Sequence, residues 1–213
     1  MMLKDPQELI HWLKVELLNL PGEIAHKDMI PYRLTASEAL KNPMKYRLSA
    51  VLILLYFENG EPHFILTERQ DYAGKHSGQI SLPGGKVEER DQNTAETALR
   101  ETEEEIGVRS ESVELLGQLT EVFVPVSQFL IHPYLGYSPR LPSIIPDVRE
   151  VKTVLHCTIG ELVNEENRIL TKFKTSTGIW MKDVPAFVIQ EKIVWGATAI
   201  ILNEFKHLLK RLK

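Results

Sequence analysis

Apolar residues spaced three and four positions apart predict a helix at each end of the chain. The first helix, over residues 5–19, opens with Asp5-Pro6-Gln7-Glu8, which has the form of an N-cap, a proline at the first helical position and a capping glutamate. Its predicted apolar face comprises Leu9, Ile10, Leu13, Leu17 and Leu18. The second helix, over residues 196–212, carries lysine and arginine in its final turns, which suits the helix dipole.

Between these helices, short apolar runs predict a β-sheet. Residues 48–57 have the pattern of a buried strand, Asn59-Gly60 that of a hairpin turn, and residues 63–67 that of its partner strand. Further strands are predicted at residues 113–119, 129–137, 151–157 and 185–188. Residues 23–46 are polar and irregular. Since there is no repeat or linker-like segment, we predict one α+β domain over residues 1–213, with its core at about 47–199.

Composition and charge restrict the class of protein. Apolar residues make up 43% and charged residues 25% of the 213 positions, as in soluble globular proteins. The net charge of -4 gives no overall basic field, so neither nucleic acid nor a membrane surface is an expected partner. Cys157 is the only cysteine, and because the N-terminal residues carry charges throughout, we expect no signal peptide. We therefore expect a cytoplasmic protein without disulfides.

A third predicted helix concentrates acidic residues near its C-terminus. Asn93 can cap this helix and Gly107 can end it. The stripe expected to pack on the sheet comprises Ala95, Ala98, Leu99, Thr102 and Ile106. Glu101, Glu104 and Glu105 then cluster on roughly the opposite side, where they repel one another and the helix dipole. Such a local conflict tends to mark a functional site.

A divalent cation would remove the conflict between these carboxylates. Mg²⁺ and Mn²⁺ prefer oxygen ligands and leave coordination positions for water and substrate phosphates. The Gly84-Gly85 turn lets the backbone approach such a site closely. The alternative is a solvated acidic face, which is the usual meaning of a run of glutamates. The spacing of the surrounding residues favours the metal site.

That spacing resembles the signature of the Nudix hydrolase family, G-x5-E-x7-R-E-U-x-E-E-x-G-U, with U an apolar residue. The chain has Gly85, five residues, Asp91, eight residues, and then RETEEEIGV from Arg100 to Val108. It departs from the signature in Asp91, in one extra residue before Arg100, and in Thr102 at an apolar position. The first two departures are similar to the coenzyme A pyrophosphatase branch of the family.

The resemblance implies a fold, a metal site and roles for particular residues. The implied fold is a mixed β-sheet held between helices. The implied ligands of Mg²⁺ or Mn²⁺ are the Gly85 carbonyl and the carboxylates of Glu101, Glu104 and Glu105. Arg100 would hold these carboxylates in place, with Asp91 as its partner. The general base would be one of these glutamates or Glu150, for which a plain surface glutamate is the alternative interpretation.

A second stretch, before the signature, bears on the substrate. LTER at residues 66–69 and HSGQISLPGG at residues 76–85 resemble the additional motif of coenzyme A pyrophosphatases, although Gly74 stands where that motif has an arginine. Residues implied to contact a phosphate-rich nucleotide are Arg69, Lys75, His76, Gln79 and Gly84. The alternative is that these charges are solvated and that the histidine is structural.

The resemblance implies a metal-dependent hydrolase of a nucleoside diphosphate derivative. Its first expected substrate is coenzyme A or acyl-coenzyme A, cleaved to 3',5'-ADP and the phosphopantetheine product. Alternatives are ADP-ribose or a dinucleotide such as NADH as substrate, or a regulatory module that binds a nucleotide without turnover. The three mutually repelling glutamates argue against such a module. The terminal helices would either form a homodimer interface or cap the core.

Overall fold

The computed structural model describes residues 5–29, 35–41, 45–70, 78–140, 142–174 and 180–212. Its helices are α1 (Pro6–Glu16), α2 (Glu23–Lys27), α3 (Ala36–Leu40), α4 (Thr94–Ile106), α5 (Ile159–Val163) and α6 (Gly196–Leu209). Its first strands are β1 (Arg47–Glu58), β2 (Glu61–Arg69), β3 (Ile80–Ser81), β4 (Gly84–Lys86), β5 (Glu114–Gln118) and β6 (Val122–Val124). The remaining strands are β7 (Phe129–Tyr137), β8 (Val151–Thr158), β9 (Arg168–Lys174), β10 (Trp180–Ile189) and β11 (Lys192–Trp195).

The main sheet is mixed and lies between helices, as predicted. Its strand order is β3-β2-β1-β7-β5, with β4 paired to β1, β6 to β7 and β8 to β2. The β1–β7 pair is parallel, whereas the other pairs are antiparallel. On one face, α4 packs against alternate residues of β1, namely Ala50, Leu52, Leu54 and Tyr56. The other face of β1, with Ile53 and Leu55, packs in the core that contains α1 and α6.

The predicted hairpin joins β1 to β2. Asn59 and Gly60 both have positive φ, at 53° and 79°, which a two-residue turn of this hand requires. The strand predicted at residues 129–137 has the bounds of β7. A second sheet, of strand order β11-β10-β9, was predicted only in part, at residues 185–188. Its other strands are short or partly exposed, so their apolar pattern is weak.

Both terminal helices pack on the core. Leu9, Ile10 and Leu13 of α1 are buried, but Leu18, predicted on the same apolar face, is exposed because the helix ends at Glu16. Helix α6 is buried over most of its surface, including its polar residues Asn203, Glu204 and Lys206. The structure therefore shows these helices covering the core. None of the helices in the described part of the chain is long and apolar enough to cross a membrane.

The prediction of an irregular stretch over residues 23–46 is wrong in part. It contains α2 and α3, each five residues long. Helix α3 begins with a capping box, in which Thr35 accepts from the backbone of Glu38 and Glu38 accepts from the backbone of Thr35. Helices of this length are too short to display a 3.6-residue period, and tertiary packing stabilises them rather than sequence pattern.

Candidate active site

Helix α4 has the limits that its sequence predicts. The Asn93 side chain accepts from the N–H of Glu96 at 3.0 Å, and Gly107 ends the helix in the left-handed conformation, with φ 74°. Thr102 stands at an apolar position of the signature and is fully buried. Its hydroxyl donates to the Ala98 carbonyl at 2.7 Å, so the polar atom is satisfied within the helix. The threonine therefore leaves the packing of α4 on the sheet intact.

The two glycines of β4 bring its backbone directly against the carboxylates of α4. A Cβ atom added to Gly85 would lie 2.3 Å from Oε2 of Glu101. Gly84 has φ 149°, and a Cβ there would lie 2.3 Å from the Ala50 carbonyl oxygen. The Gly84 N–H donates to Oε2 of Glu105 at 3.2 Å. A side chain at Gly84 would therefore collide with the backbone of β1, and a side chain at Gly85 would displace the Glu101 carboxylate.

Glu105 does not lie on the side of α4 opposite the sheet, so that prediction is wrong. Its side chain is buried, because Glu105 lies at the edge of the sheet-facing stripe of α4 and its carboxylate accepts from the Gly84 N–H of β4. Burial is the largest cause that raises the pKa of Glu105 to about 7, with smaller contributions from Glu101 and Glu150, whereas Arg69 and the hydrogen bond from the Gly84 N–H oppose the rise. Burial likewise raises the pKa of Glu101. These carboxylates are thus in an environment that disfavours their charge.

Arg100 joins the acidic residues of the signature. Its side chain, 14% exposed, donates to both oxygens of Asp91 at 2.8 and 2.9 Å. It also donates to Glu101 Oε1 at 2.8 Å, to Glu104 Oε2 at 3.0 Å and to the Lys86 carbonyl at 3.1 Å. These hydrogen bonds hold the pKa of Asp91 well below its usual range. The predicted contact between Arg100 and Asp91 is therefore present, in the forked geometry typical of an arginine and a carboxylate.

Replacing Arg100 by lysine is expected to lower kcat/KM for the diphosphate hydrolysis that the signature implies by roughly 10–100-fold, the usual effect of losing a group that orients metal ligands. Lysine keeps the charge, but it cannot donate in fixed directions to Asp91, Glu101 and Glu104 together. Steady-state kinetics would measure the loss, with Arg109→Lys as the matched control, because Arg109 is exposed and its ion-pair partner among the described residues is Glu111, at 3.4 Å. Activity within twofold of the parent would contradict the positioning role of Arg100.

Glu150 approaches the carboxylates from a separate loop, residues 142–150. The loop is attached to the end of α4, because the Asp147 N–H donates to the Glu105 carbonyl at 2.9 Å. It is also attached to the end of β2, where the Glu150 carbonyl accepts from the Gln70 N–H at 2.9 Å. The charge of Glu150 contributes to the raised pKa values of both Glu101 and Glu105. The structure thus brings the exposed Glu150 close to the signature glutamates.

The structure describes three of the five residues predicted to contact substrate. Arg69 lies at the end of β2 with Nη1 3.8 Å from Oε1 of Glu105, and its buried Nε has no hydrogen-bond partner among the described residues. The Gln79 carbonyl accepts from the Arg69 N–H at 3.0 Å, which places Gln79 beside it. Lys75 and His76 lie outside the described residues. Arg69, Gln79 and Gly84 are therefore grouped at the Glu105 end of the site.

Sequence reasoning missed Arg90. Its Nη2 donates to Oε1 of Glu104 at 2.8 Å, and its Nε lies 2.8 Å from Oε2 of Glu88. Arg90 stands at a variable position of the signature, so neither motif nor period distinguishes it from a solvated surface arginine. The hydrogen-bond partner of such a loop residue can be identified only from the conformation of the turn between β4 and α4.

The donor chemistry fits a divalent cation. Mg²⁺ and Mn²⁺ prefer oxygen ligands such as carboxylates and backbone carbonyls. At this site the carboxylates of α4 lie beside β4, where two glycines leave no side chain in the way. Among the described residues, no three histidine, cysteine or acidic side chains already converge on a common point suited to a metal ion. Both oxygens of Glu104 accept hydrogen bonds from arginines, Oε1 from Arg90 and Oε2 from Arg100. The metal ligands implied by the signature stay a prediction.

Residues 45–169 match the NUDIX domain. The chain belongs to the Nudix family. It is 32% identical over 171 residues to the mitochondrial coenzyme A diphosphatase NUDT8 of Homo sapiens, covering 79% of this chain and 72% of that protein. It is 43% identical over 152 residues to the uncharacterized Nudix hydrolase NudL of Yersinia enterocolitica, covering 67% and 72% of the two chains.

A solved structure agrees with this assignment at the level of the fold. The MutT/nudix family protein from Enterococcus faecalis has a TM-score of 0.53 and 19% identity, covering 90% of this chain and 76% of that one. The predicted family and fold are therefore confirmed, and this chain is a Nudix pyrophosphohydrolase. Enzymes of the Nudix family generally use divalent metal ions, which agrees with the donor chemistry of the site.

Proposed function

We propose that this Nudix hydrolase cleaves the diphosphate of coenzyme A or acyl-coenzyme A, giving 3',5'-ADP and phosphopantetheine or its acyl derivative, with Mg²⁺ or Mn²⁺ as cofactor. The observation that carries the proposed chemistry is the position of Glu101 and Glu105 directly against the Gly84-Gly85 strand. The choice of substrate is supported by the 32% identity to a coenzyme A diphosphatase and by the motif at residues 66–85.

Each acidic residue has a proposed role. Glu101, Glu104, Glu105 and the Gly85 carbonyl hold the cation, and Arg100 fixes the directions of Glu101 and Glu104. A bound Mg²⁺ or Mn²⁺ supplies neutralisation of the phosphate oxygens and a lower pKa for the attacking water. Glu150 takes the proton of that water. The water oxygen bonds to one phosphorus while the bridging bond breaks, and the two products leave as phosphate monoesters.

The substrate side of the site is built around Arg69. The buried Nε that lacks a partner among the described residues favours a phosphate oxygen as its acceptor, because a buried donor without a partner is costly. Gln79 and Gly84 flank Arg69 and are proposed to contact the same diphosphate, together with Lys75 and His76. Cytoplasmic location and a homodimer through the terminal helices stay predictions from the sequence, and the human relative is mitochondrial.

Product analysis by mass spectrometry tests the proposal. Coenzyme A, ADP-ribose and NADH are incubated separately with the protein and Mg²⁺ or Mn²⁺, with a chelator as the control. We expect release of 3',5'-ADP and phosphopantetheine, fastest from coenzyme A and abolished by the chelator. Faster turnover of ADP-ribose or NADH would keep the metal chemistry and overturn the substrate. Absence of turnover of all three compounds would overturn the proposed diphosphatase activity toward them.

A further inference from the structure

Glu104 differs from the other two signature glutamates in having an arginine on each oxygen. Arg100 donates to its Oε2 at 3.0 Å, and Arg90 donates to its Oε1 at 2.8 Å. Glu101, by contrast, has one oxygen on Arg100 and the other against Gly85. Any cation that uses Glu104 must therefore share or displace one of these arginines.

The two arginines are not equally easy to displace. Arg100 is 14% exposed and is fixed by Asp91, Glu101 and the Lys86 carbonyl as well as by Glu104. Arg90 is 61% exposed, and its ion-pair partners among the described residues are Glu88 and Glu104. Exposed ion pairs of this kind contribute little and are readily exchanged. Arg90 is accordingly the partner that can leave Glu104 at low cost.

We infer that Arg90 is a displaceable counter-ion of Glu104 that sets the affinity of the site for divalent cations. Its guanidinium neutralises Glu104 and donates a hydrogen bond to Oε1. Arg90 would lose this bond if Glu104 held a cation, and it would keep its contact with Glu88. The inference rests on the proposed role of Glu104 as a metal ligand. It makes Arg90 a positioning residue, which acts through Glu104.

Direct binding of Mn²⁺, measured without substrate by the electron paramagnetic resonance signal of the free ion, tests this inference. Arg90→Gln is expected to bind Mn²⁺ about two- to fivefold more tightly than the parent, a factor that corresponds to about 0.4–1 kcal/mol. The double variant Glu88→Gln/Arg90→Gln removes one charge of each sign, so its net charge equals that of the parent. It should show the same tightening, because Glu104 has lost the same partner.

The variant Arg109→Gln tests whether the loss of any positive charge is enough to tighten Mn²⁺ binding. This variant also removes one positive charge, from an exposed residue that contacts Glu111 rather than a signature glutamate, and its Mn²⁺ affinity should equal that of the parent. Tightening in Arg109→Gln equal to that in Arg90→Gln would overturn the inference, as would parent-like affinity of the charge-neutral double variant. Unchanged or weaker binding by Arg90→Gln would do the same.

Failure of the inference is distinguishable from failure of the proposed metal site. Glu105→Gln is expected to lose most of the Mn²⁺ binding of the parent, because it removes a proposed ligand that contacts Gly84 and Arg69 rather than Arg90. If Glu105→Gln loses binding and Arg90→Gln does not gain it, the inference about Arg90 fails alone. If Glu105→Gln binds Mn²⁺ as the parent does, or if the parent binds none, both the metal site and the inference are overturned.

Discussion

Replacing Glu105 by glutamine is expected to lower kcat/KM for diphosphate hydrolysis by roughly 10²–10⁴-fold, because charge stabilisation by a bound metal contributes several kcal/mol to such reactions and each 1.4 kcal/mol is a factor of ten. Glutamine has the size of glutamate, and its carbonyl oxygen can still accept from the Gly84 N–H. The substitution therefore removes the negative charge at the centre of the site while keeping the packing of α4. Steady-state kinetics with coenzyme A and Mg²⁺ would measure the loss.

Glu103→Gln is the matched control on the same helix. Glu103 accepts from the N–H and the hydroxyl of Ser110, at 3.0 and 2.8 Å, and faces away from the glycines. Its replacement should leave kcat/KM within about twofold of the parent, since surface substitutions have small effects. Thermal unfolding of both variants verifies that they are folded. A folded Glu105→Gln protein that retains more than a tenth of the parent activity would contradict a role for Glu105 as a metal ligand.

The features that were predicted correctly from the sequence depend on residues that lie close together in the chain. Asn93 and Gly107 mark the ends of α4 because capping depends on residues within a few positions of the cap. The contact between Arg100 and Asp91 was predicted from the signature, and most of the residues between them belong to the first turns of α4, which leaves little freedom for another partner. The hairpin at Asn59 and Gly60 could also be predicted from neighbouring residues, since these two residues determine the geometry of the turn.

The parts that sequence did not predict depend on distant segments. Helical periodicity predicted Glu105 on the side of α4 opposite the sheet. Periodicity does not show that Gly84 of β4 approaches that edge of the helix. Arg90 was missed because its partner lies 14 positions away across an irregular turn. Loop 142–150 was recognised only through Glu150, and its attachment to α4 and β2 needs the tertiary structure. Periodicity identifies a face of a helix but not what covers it.

Polar residues of α6 give the clearest case of burial that periodicity does not predict. Glu204 is fully buried, and its carboxylate accepts hydrogen bonds from four donors in two other segments. The donors are the Gly22 N–H at 3.0 Å, His26 Nε2 at 3.1 Å, the Thr120 N–H at 3.1 Å and the Thr120 hydroxyl at 2.7 Å. Burial would raise the pKa of Glu204, but the hydrogen bonds from His26 and Thr120 lower it below its ordinary value. The carboxylate therefore joins α6 to α2 and to the segment between β5 and β6.

Replacing Glu204 by alanine is expected to lower the free energy of unfolding by about 3–5 kcal/mol, since each buried polar group left unsatisfied costs about 1–3 kcal/mol. The loss arises because the buried His26 and the part-buried donors of Gly22 and Thr120 are left without their acceptor. Urea unfolding of the metal-free protein would measure it. The matched control is Glu111→Ala, since Glu111 is 74% exposed in its side chain and should change the free energy by no more than about 0.5 kcal/mol.

A double-mutant cycle identifies the cause of the loss. Thr120→Val removes the hydroxyl donor while keeping its approximate volume, and it should cost less in the Glu204→Ala background than in the parent, because its acceptor is already absent. A coupling near zero, together with a loss below about 1 kcal/mol for Glu204→Ala, would mean that water replaces the carboxylate. In that case the polar contacts at Glu204 would not contribute to the attachment of α6, which would rest on the packing of Leu202, Phe205 and Leu208 and on other contacts such as the hydrogen bond from Asn203 to the Ala25 carbonyl.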